Sequence, residues 1–390
     1  MRRILVLNLG STSFKFKLYN MDEDEILLAS GGVESIGAQG AYRIWANGRE
    51  EKARCRCQTH IDALEWCMGV LSHMGVSVDM ASLDAVGYKA VHGGGISGSR
   101  AVDGPLMAEM ERMCALAPAH NPVYLEMMRR VKERYPGLKQ IACFETAFHA
   151  TVPLERTVYG IPYAWMEQLG VRRYGFHGSS HSYIAWKMAR EAPQARRLVS
   201  VHLGGSSSLC AIENGRSIAT SMGATPQSGL FHNNRVGDLD VFCLPVIIRQ
   251  TGGVEAAMKA LSAQSGLLGL SGVSNDMRKV KEAAAQGDER AQLAIRAFVD
   301  EIVGYIGRYT AYLGGLDAIC FTGGIGLNDA SLRQRVADRL SFVNAKLNPM
   351  CNKSGYEGRI SAADSGVAIW AFETNEEIMV ARGCMRVLNA

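Results

Sequence analysis

LVSVHLGGSSSLCAIE, residues 198–213, decides how this chain is read. An apolar run (Leu198, Val199, Val201, Leu203) enters Gly204-Gly205-Ser206-Ser207-Ser208 and leaves through Leu209, Cys210, Ala211 and Ile212. The order is strand, tight polar turn, strand, and Asn214-Gly215 supplies the next reversal. The two glycines permit positive φ and close backbone approach, and three hydroxyls add donors beside the backbone amides. Such a concavity suits an anion, phosphate above all. On its own, a glycine-serine turn is usually only a turn.

The pattern occurs twice. Residues 4–19 read ILVLNLGSTSFKFKLY, again an apolar run, a glycine-serine bend and an apolar run. Laid over the later stretch, Asn8 falls on His202, Leu9 on Leu203, Gly10 on Gly204 and Ser13 on Ser207. Two copies 194 residues apart in a chain of 390 predict a duplicated domain. If the copies face each other, a nucleotide polyphosphate lies in the cleft between them.

Length agrees with two domains. The chain is 47% hydrophobic and 21% charged, an ordinary globular composition. A net charge of +4 is too small to argue for nucleic acid or an anionic membrane. No run approaches the roughly 20 apolar residues of a membrane span. MRRILVLNLG runs into Gly-Ser-Thr-Ser with no cleavage-like site, so it reads as a buried first strand. The ten cysteines are scattered, mostly in apolar segments (Cys143, Cys210, Cys243, Cys320), as expected of buried thiols in a cytoplasmic protein. Cys55-Arg-Cys57 with His60 lacks the second ligand pair a metal site needs.

Strands are expected near Ile26–Ser30, Tyr42–Ala46, Ala85–His92, Lys139–Phe144 and Ala318–Phe321. Helices are expected over His60–Met74, Met107–Ala117, Pro122–Glu133 and about Ser180–Glu191, the last capped by Ser179 or Ser180. Leu293, Phe298, Ile302, Tyr305, Tyr309 and Leu313 mark one face of a long helix stopped by Gly314-Gly315. After Phe321, Thr322-Gly323-Gly324-Ile325-Gly326 reads as a glycine-rich turn before a helix from about Ala330. Hairpins mixed with helix–strand units argue for α/β domains with mixed sheets. The expected boundaries are 1–150 plus 378–390 for one domain and 151–377 for the other.

Phosphoryl transfer needs cations around the transferred group, a carboxylate for a metal, and donors for the equatorial oxygens. The candidates sit in polar clusters beside glycines. They are Lys15 past the first bend, His177 and His181 around Gly178-Ser179-Ser180, Arg235 in HNNRVGDLD, Glu145 after a buried strand, and Glu376 in ETNEE. Each has a plainer reading: an exposed strand lysine, structural histidines, a helix cap, a solvated charge run.

At this point the chain resembles the acetate kinase family, whose fold is shared with actin, sugar kinases and heat-shock ATPases. The resemblance runs nearly end to end, through NLGSTSFKF (8–16), VHGG (91–94), APAHNP (117–122), FETAFHATVP (144–153), RRYGFHGSSH (172–181), HLGGSSS (202–208), TSMGATP (220–226), RVGDLD (235–240), FTGGIGLN (321–328) and TNEE (374–377). Ten blocks in order are far more specific than any one. The resemblance implies reversible, Mg²⁺-dependent (or Mn²⁺-dependent) transfer of the ATP γ-phosphate to a short-chain carboxylate, giving an acyl phosphate and ADP. It also implies a homodimer formed through the second domain.

Position by position, Asn8 and Glu376 look like the metal-associated pair, and Ser11, Ser13 and Lys15 like the first phosphate-binding group. His177 and Arg235 resemble the residues that stabilise the phosphoryl group in flight, and His120 a further active-site histidine. His202, Leu203, Gly204, Gly205 and Ser206, with Gly324, Ile325, Gly326, Leu327 and Asn328, look like the nucleotide-phosphate and adenosine loops. Asp276, Met277 and Arg278 resemble the residues beside base and ribose. Val91, Phe176 and Pro226 resemble the apolar wall around the acyl chain.

The departures cluster on the acyl side. Lys89 stands where the family has an arginine for the substrate carboxylate, so the planar bidentate fork is lost. Glu145 replaces an aspartate, moving its carboxylate outward by one methylene. Ala119 replaces a leucine before His-Asn-Pro and enlarges the alkyl pocket. The nucleotide hairpin reads GGSSS where the family has GNGAS, and Ser228 and Leu327 replace glutamates. The expectation is a carboxylate kinase whose acceptor need not be acetate. The alternative is a nucleotide-binding sensor with weakened catalysis. A sugar kinase or chaperone-like ATPase would leave the FHGSSH and AHNP blocks unexplained.

Overall fold

The computed structural model describes residues 2–22 and 24–390. The chain forms two compact units, Met1–Ala147 with Asn375–Ala390, and Phe148–Thr374. The first is built on an eight-stranded sheet: β1 (Arg3–Leu9), β2 (Ser13–Asn20), β3 (Ile26–Glu34), β4 (Gly40–Ala46), β5 (Arg49–Cys55), β6 (Ala85–Ala90), β7 (Ser99–Ala101) and β8 (Gln140–Phe144), in the order β5-β4-β3-β2-β1-β6-β8-β7. The second carries six: β9 (Arg197–His202), β10 (Ser208–Glu213), β11 (Arg216–Thr220), β12 (Ala318–Thr322), β13 (Gly358–Arg359) and β14 (Ala368–Ala371), in the order β11-β10-β9-β12-β14-β13.

The duplication is visible in the pairing. β3-β2-β1-β6-β8 and β11-β10-β9-β12-β14 share one order, antiparallel on the hairpin side and parallel beyond the first strand. Ile4 lies opposite Ala85, and its copy Leu198 lies opposite Ala318. This is the arrangement of the actin-like ATPase fold, twice in one chain. The hairpins differ in one respect: Asn8 pairs with Lys15 across six residues, His202 with Ser208 across five. The Asn214-Gly215 reversal is as read, with φ of +49° and +78°.

In the first unit, two faces of β6 receive different partners because successive side chains point opposite ways. Gly87 faces the C-terminal helix Glu376–Leu388, which packs so close that a Cβ there would stand 2.5 Å from Cys384 Sγ. Tyr88 faces the other way and meets Tyr124 edge-on at 6.4 Å, and the Tyr124 hydroxyl accepts from Leu9 N–H (3.0 Å). Lys89, two residues past Gly87, therefore points to the C-terminal helix. Helix His60–His73 begins with a reciprocal cap between Thr59 and Asp62.

Several expectations are corrected. β5 was not expected because five of its seven residues (Arg49, Glu50, Glu51, Lys52, Arg54) are charged, which is how an edge strand resists further pairing. The helix expected from Ser180 is Gly178–Glu191; its N-cap is His177 at φ +57°, and Ser179 and Ser180 are buried in its first turn. The helix expected from Met107 starts at Gly104 under an Asp103 cap and ends at Arg112. The glycine-rich turn after β12 is itself a short helix, Gly323–Asn328. Leu293 is half exposed on the 24-residue helix Glu289–Tyr312, because it lies off the stripe formed by Ala291, Ala294, Phe298, Ile302, Tyr305 and Tyr309. Cys243 is exposed rather than buried, and all ten cysteines are free. Among the described residues no single helix is long and apolar enough to cross a membrane; one pair, Val241–Thr251 with Val254–Ala263, passes only together and is bent by 111°.

Gly323 is the position where the second sheet meets its site with least tolerance. Its φ is +77°, and a Cβ would stand 2.5 Å from Leu203 O. Gly323→Ala is expected to cost at least about 1–3 kcal/mol, read as a lower midpoint in chemical denaturation.

Candidate active site

In the second unit the hairpin loop is fastened by the backbone of one residue. Leu203 N–H donates to Thr322 O (2.8 Å), and Leu203 O accepts from Ile325 N–H (2.9 Å) and Gly326 N–H (3.1 Å). This ties the end of β9 to the first turn of helix Gly323–Asn328. Leu203 itself is fully buried. Gly204 and Gly205 follow, and neither adopts the left-handed conformation that the sequence allowed for. Their value lies in space: a Cβ at Gly205 or at Gly324 meets nothing within 4 Å. Both face a cleft of about 920 Å³ whose wall also includes Gly204, Asp276, Met277, Arg278, Ile325 and Asn328. Glycines required by neither backbone nor packing leave room for something that comes close to the main chain.

Asp276 caps the helix Met277–Ala285 through Arg278 N–H (2.9 Å) and pairs with the Arg278 guanidinium, which lowers the Asp276 pKa to about 2. Lys281, one turn on, holds Asp329 (2.7 Å) across the cleft wall. Behind the loop lies Arg235. Burial pulls its pKa below the ordinary arginine value, and Nη1 donates to Ser206 Oγ (3.0 Å) and Pro226 O (3.0 Å). The Ser207 N–H donates to His232 Nδ1 (2.8 Å), so that ring is neutral at this nitrogen; burial and the nearby Arg235 push it down to about 3.

Beside the hairpin is a chain of imidazoles and hydroxyls. His177 Nδ1 lies 2.8 Å from Ser208 Oγ, which lies 2.9 Å from His181 Nε2; His181 Nδ1 lies 2.9 Å from Ser200 Oγ. His202 stacks on His177 at 4.3 Å, its Nδ1 held by Ser180 Oγ (2.8 Å). His149 Nε2 donates to Phe176 O (2.9 Å), which leaves Nδ1 to accept from Ser217 Oγ (2.9 Å). Burial pushes His149 down to about 4 and His181 well below the usual value.

The first unit gathers a second set of charges on one sheet face. Asn8 pairs with Lys15 on β2, and Leu7 with Tyr88 on β6, so the next residues, Asn8 and Lys89, are level. Lys89 Nζ is bonded to Glu376, the first residue of the C-terminal helix; Glu377 is bonded to Lys17 (2.9 Å). Burial alone would lower the Lys89 pKa, but the Glu376 and Glu145 carboxylates outweigh it and hold the ammonium charged. Glu145 is buried after β8, with its N–H on Ala90 O (2.8 Å). The VHGG loop is locked by Asn121, whose Nδ2 donates to His92 O (2.8 Å) and Met110 O (2.9 Å), and His120 immediately precedes that helix.

The Acetokinase family model matches residues 3–382. An acetate kinase from Anoxybacillus flavithermus is 39% identical over 396 residues, covering all of both chains. Among solved structures, an acetate kinase from Porphyromonas gingivalis superposes with a TM-score of 0.89 at 34% identity over the full length of both. A propionate kinase from Francisella tularensis gives 0.91 at 35% identity, over 98% of this chain and 99% of that one. The chain belongs to the acetokinase family. It is a kinase that phosphorylates a carboxyl group, with ATP and ADP as its nucleotide substrates.

In this kinase the cleft of the second unit gathers Gly204, Gly205, Asp276, Met277, Arg278, Gly324, Ile325 and Asn328. Gly326 is buried and Leu327 packs against the core. The first unit brings Asn8, Lys15, Lys89 and Glu376 to one sheet face, with Ser11 exposed in the bend. Val91 and Ala119 belong to the first unit, Phe176 and Pro226 to the second. Asn8 and Glu376 offer an amide oxygen and a carboxylate, the hard donors of Mg²⁺, a cation that keeps waters and completes its shell on phosphate. Among the described residues no group of three or more His, Cys, Asp or Glu is set to enclose a metal by itself. Sequence reasoning missed Asn233, Lys281 and Asp329 in the cleft, and His149 and His232 behind it.

The buried histidines set a pH limit. Burial in the folded chain lowers each pKa from the ordinary histidine value of about 6.5, to about 4 for His149 and about 3 for His232. The unfolded chain therefore binds more protons than the native one below pH about 6.5. Stability is fully present above that value and falls as pH drops toward 4, by on the order of 1 kcal/mol per histidine per pH unit. Denaturation midpoints should be flat from pH 7 to 8 in this respect and decline steadily from pH 6.5 to 5.

Proposed function

We propose that this kinase forms an acyl phosphate and ADP by direct, reversible, in-line attack of a carboxylate oxygen on the γ-phosphorus of ATP. The observation that carries the reading is Arg235. Its guanidinium is fixed on Ser206, within the loop whose glycines open onto the cleft. A buried cation tied to the phosphate loop can neutralise charge as the phosphoryl group leaves, at no cost in reorganisation.

In this reading His177 donates to the same group, and Gly204, Gly205 and Gly324 carry the phosphates with their amides. Asp276–Arg278 and Asn328 flank base and ribose. Lys15, Ser11 and Ser13 serve the phosphates from the first unit. Asn8 and Glu376 would hold Mg²⁺ (or Mn²⁺), which when bound neutralises phosphate charge. Lys89 has three donors; with one on Glu376, the others are available to orient the acceptor carboxylate, and Glu145 keeps the ammonium in place. His120 stands with them. Val91, Ala119, Phe176 and Pro226 face the alkyl end, and the small Ala119 supports an acceptor somewhat larger than acetate.

Arg235→Ala should lower turnover by about a thousandfold or more while ATP binds within a few-fold of wild type by calorimetry; near-normal turnover refutes the role. The acceptor is identified by trapping acyl phosphate as hydroxamate over C2 to C5 carboxylates. Product with none of them, despite nucleotide binding, would point to a sensor.

A homodimer through the second unit is supported by an apolar surface: Val241, Phe242, Val246, Val254 and Met258 are 42–85% exposed within one short stretch. Phe242→Asp is expected to shift the kinase from dimer to monomer in light scattering. The cytoplasm is the compartment that ten free thiols suit best.

A further inference from the structure

We propose that Ser208, backed by His181 and Ser200, is a positioning residue that holds the His177 ring so that its Nε2 carries a proton toward the phosphoryl group. The proposal rests on the reading of His177 given above and deepens it.

His177 cannot be aligned by its own backbone. It starts the helix Gly178–Glu191 in the left-handed region, φ +57°, which a β-carbon disfavours, so something else must hold it there. Three contacts do so in series. Ser208 Oγ lies 2.8 Å from His177 Nδ1 and 2.9 Å from His181 Nε2, and Ser200 Oγ lies 2.9 Å from His181 Nδ1. The two rings come from one helix, four residues apart; the two hydroxyls come from neighbouring strands, β9 and β10. Ser200, His181 and Ser208 are completely buried, so water cannot replace a lost partner.

Burial also restricts the protons. A serine hydroxyl donates once, and a neutral imidazole donates from one nitrogen and accepts at the other. Two directions satisfy the chain with His177 neutral; in the one we assign, Ser200 donates to His181 Nδ1, His181 Nε2–H to Ser208, and Ser208 to His177 Nδ1, which puts the proton of His177 on Nε2. With His177 cationic every bond reverses: His177 Nδ1–H donates to Ser208, Ser208 to His181 Nε2, and His181 Nδ1–H to Ser200. Nε2 stays protonated. The chain accommodates both charge states without moving a heavy atom. His202, tilted against the ring at 4.3 Å between centroids and itself held through Ser180, adds a further contact.

The test uses the full-length kinase and the variants Ser208→Ala, His177→Ala and their combination. Ser208→Ala should lower kcat about 10- to 100-fold, with the KM for ATP within about threefold of wild type. The ring ¹⁵N resonances of His177 should move from one defined tautomer to an averaged pair. In the His177→Ala background the serine change should cost less than about twofold, since nothing is left to position. A kcat within twofold for Ser208→Ala, or an equal loss with and without His177, overturns the proposal. If His177→Ala itself turns over normally, the reading of His177 fails, and the ¹⁵N spectrum still decides whether Ser208 sets its tautomer. Should Ser208→Ala not fold, Ser200→Ala cuts the far end of the chain; unchanged His177 ring shifts and kcat in that variant overturn the proposal equally.

Discussion

The backbone of Leu203 is the constraint on which the second unit depends. Its N–H and its carbonyl bond three groups of the β12–helix junction, Thr322, Ile325 and Gly326, so two loops that are distant in sequence become one rigid edge. That edge requires Gly323 to adopt positive φ beneath it and permits Gly205 and Gly324 to remain bare above the cleft. A buried residue must satisfy both its backbone polar groups, and here satisfying them also builds one wall of the cleft. The hairpin and the start of the following helix both take their places from this one residue.

Duplication supplied two such hairpins, and the copies have been put to different uses. In the first unit the bend lies beside charged side chains: Asn8 and Lys15 in one cross-strand row, Lys89 on the next strand, and Glu376 brought over by the C-terminal helix. In the second unit the equivalent surface carries hydroxyls and neutral imidazoles. The hairpin there is one residue shorter, and Ser208 lies opposite His202, the counterpart of Asn8, which in the first unit faces Lys15. One copy is equipped for ions, the other for aligned donors.

The two chemistries answer to the same solvation cost. A charge shut away from water must be paired, so Lys89 lies against Glu376 and Glu145. Burial makes an imidazole shed its proton, as it does for His149, His181 and His232, with Arg235 adding to the effect on His232 and the neighbouring imidazoles to that on His181. Neutral rings can then act as fixed connectors, each accepting at one nitrogen and donating at the other, and the hairpin serines fill the spaces between them. Ser206 serves Arg235, Ser207 serves His232 through its amide, and Ser208 serves His177.

Local pattern sufficed for the repeated strand–bend–strand, the amphipathic helices, the Asn-Gly reversal and the candidate residues next to glycines. Those features are written in spacing and turn chemistry, which neighbouring residues decide between themselves. Strand β5 escaped notice because an edge strand is held by backbone bonds and can be as polar as a loop. His177 escaped notice as a cap because nothing near it in sequence explains a left-handed histidine; its partners are the strand serines, reached only by folding. Lys281 with Asp329, 48 residues apart, and Lys89 with Glu376, 287 apart, are of the same kind. Which residues are candidates for the chemistry was therefore legible in the sequence alone. Which atoms orient them was settled only by tertiary structure, because hydrogen bonds and ion pairs depend on distance in space and leave no period along the chain.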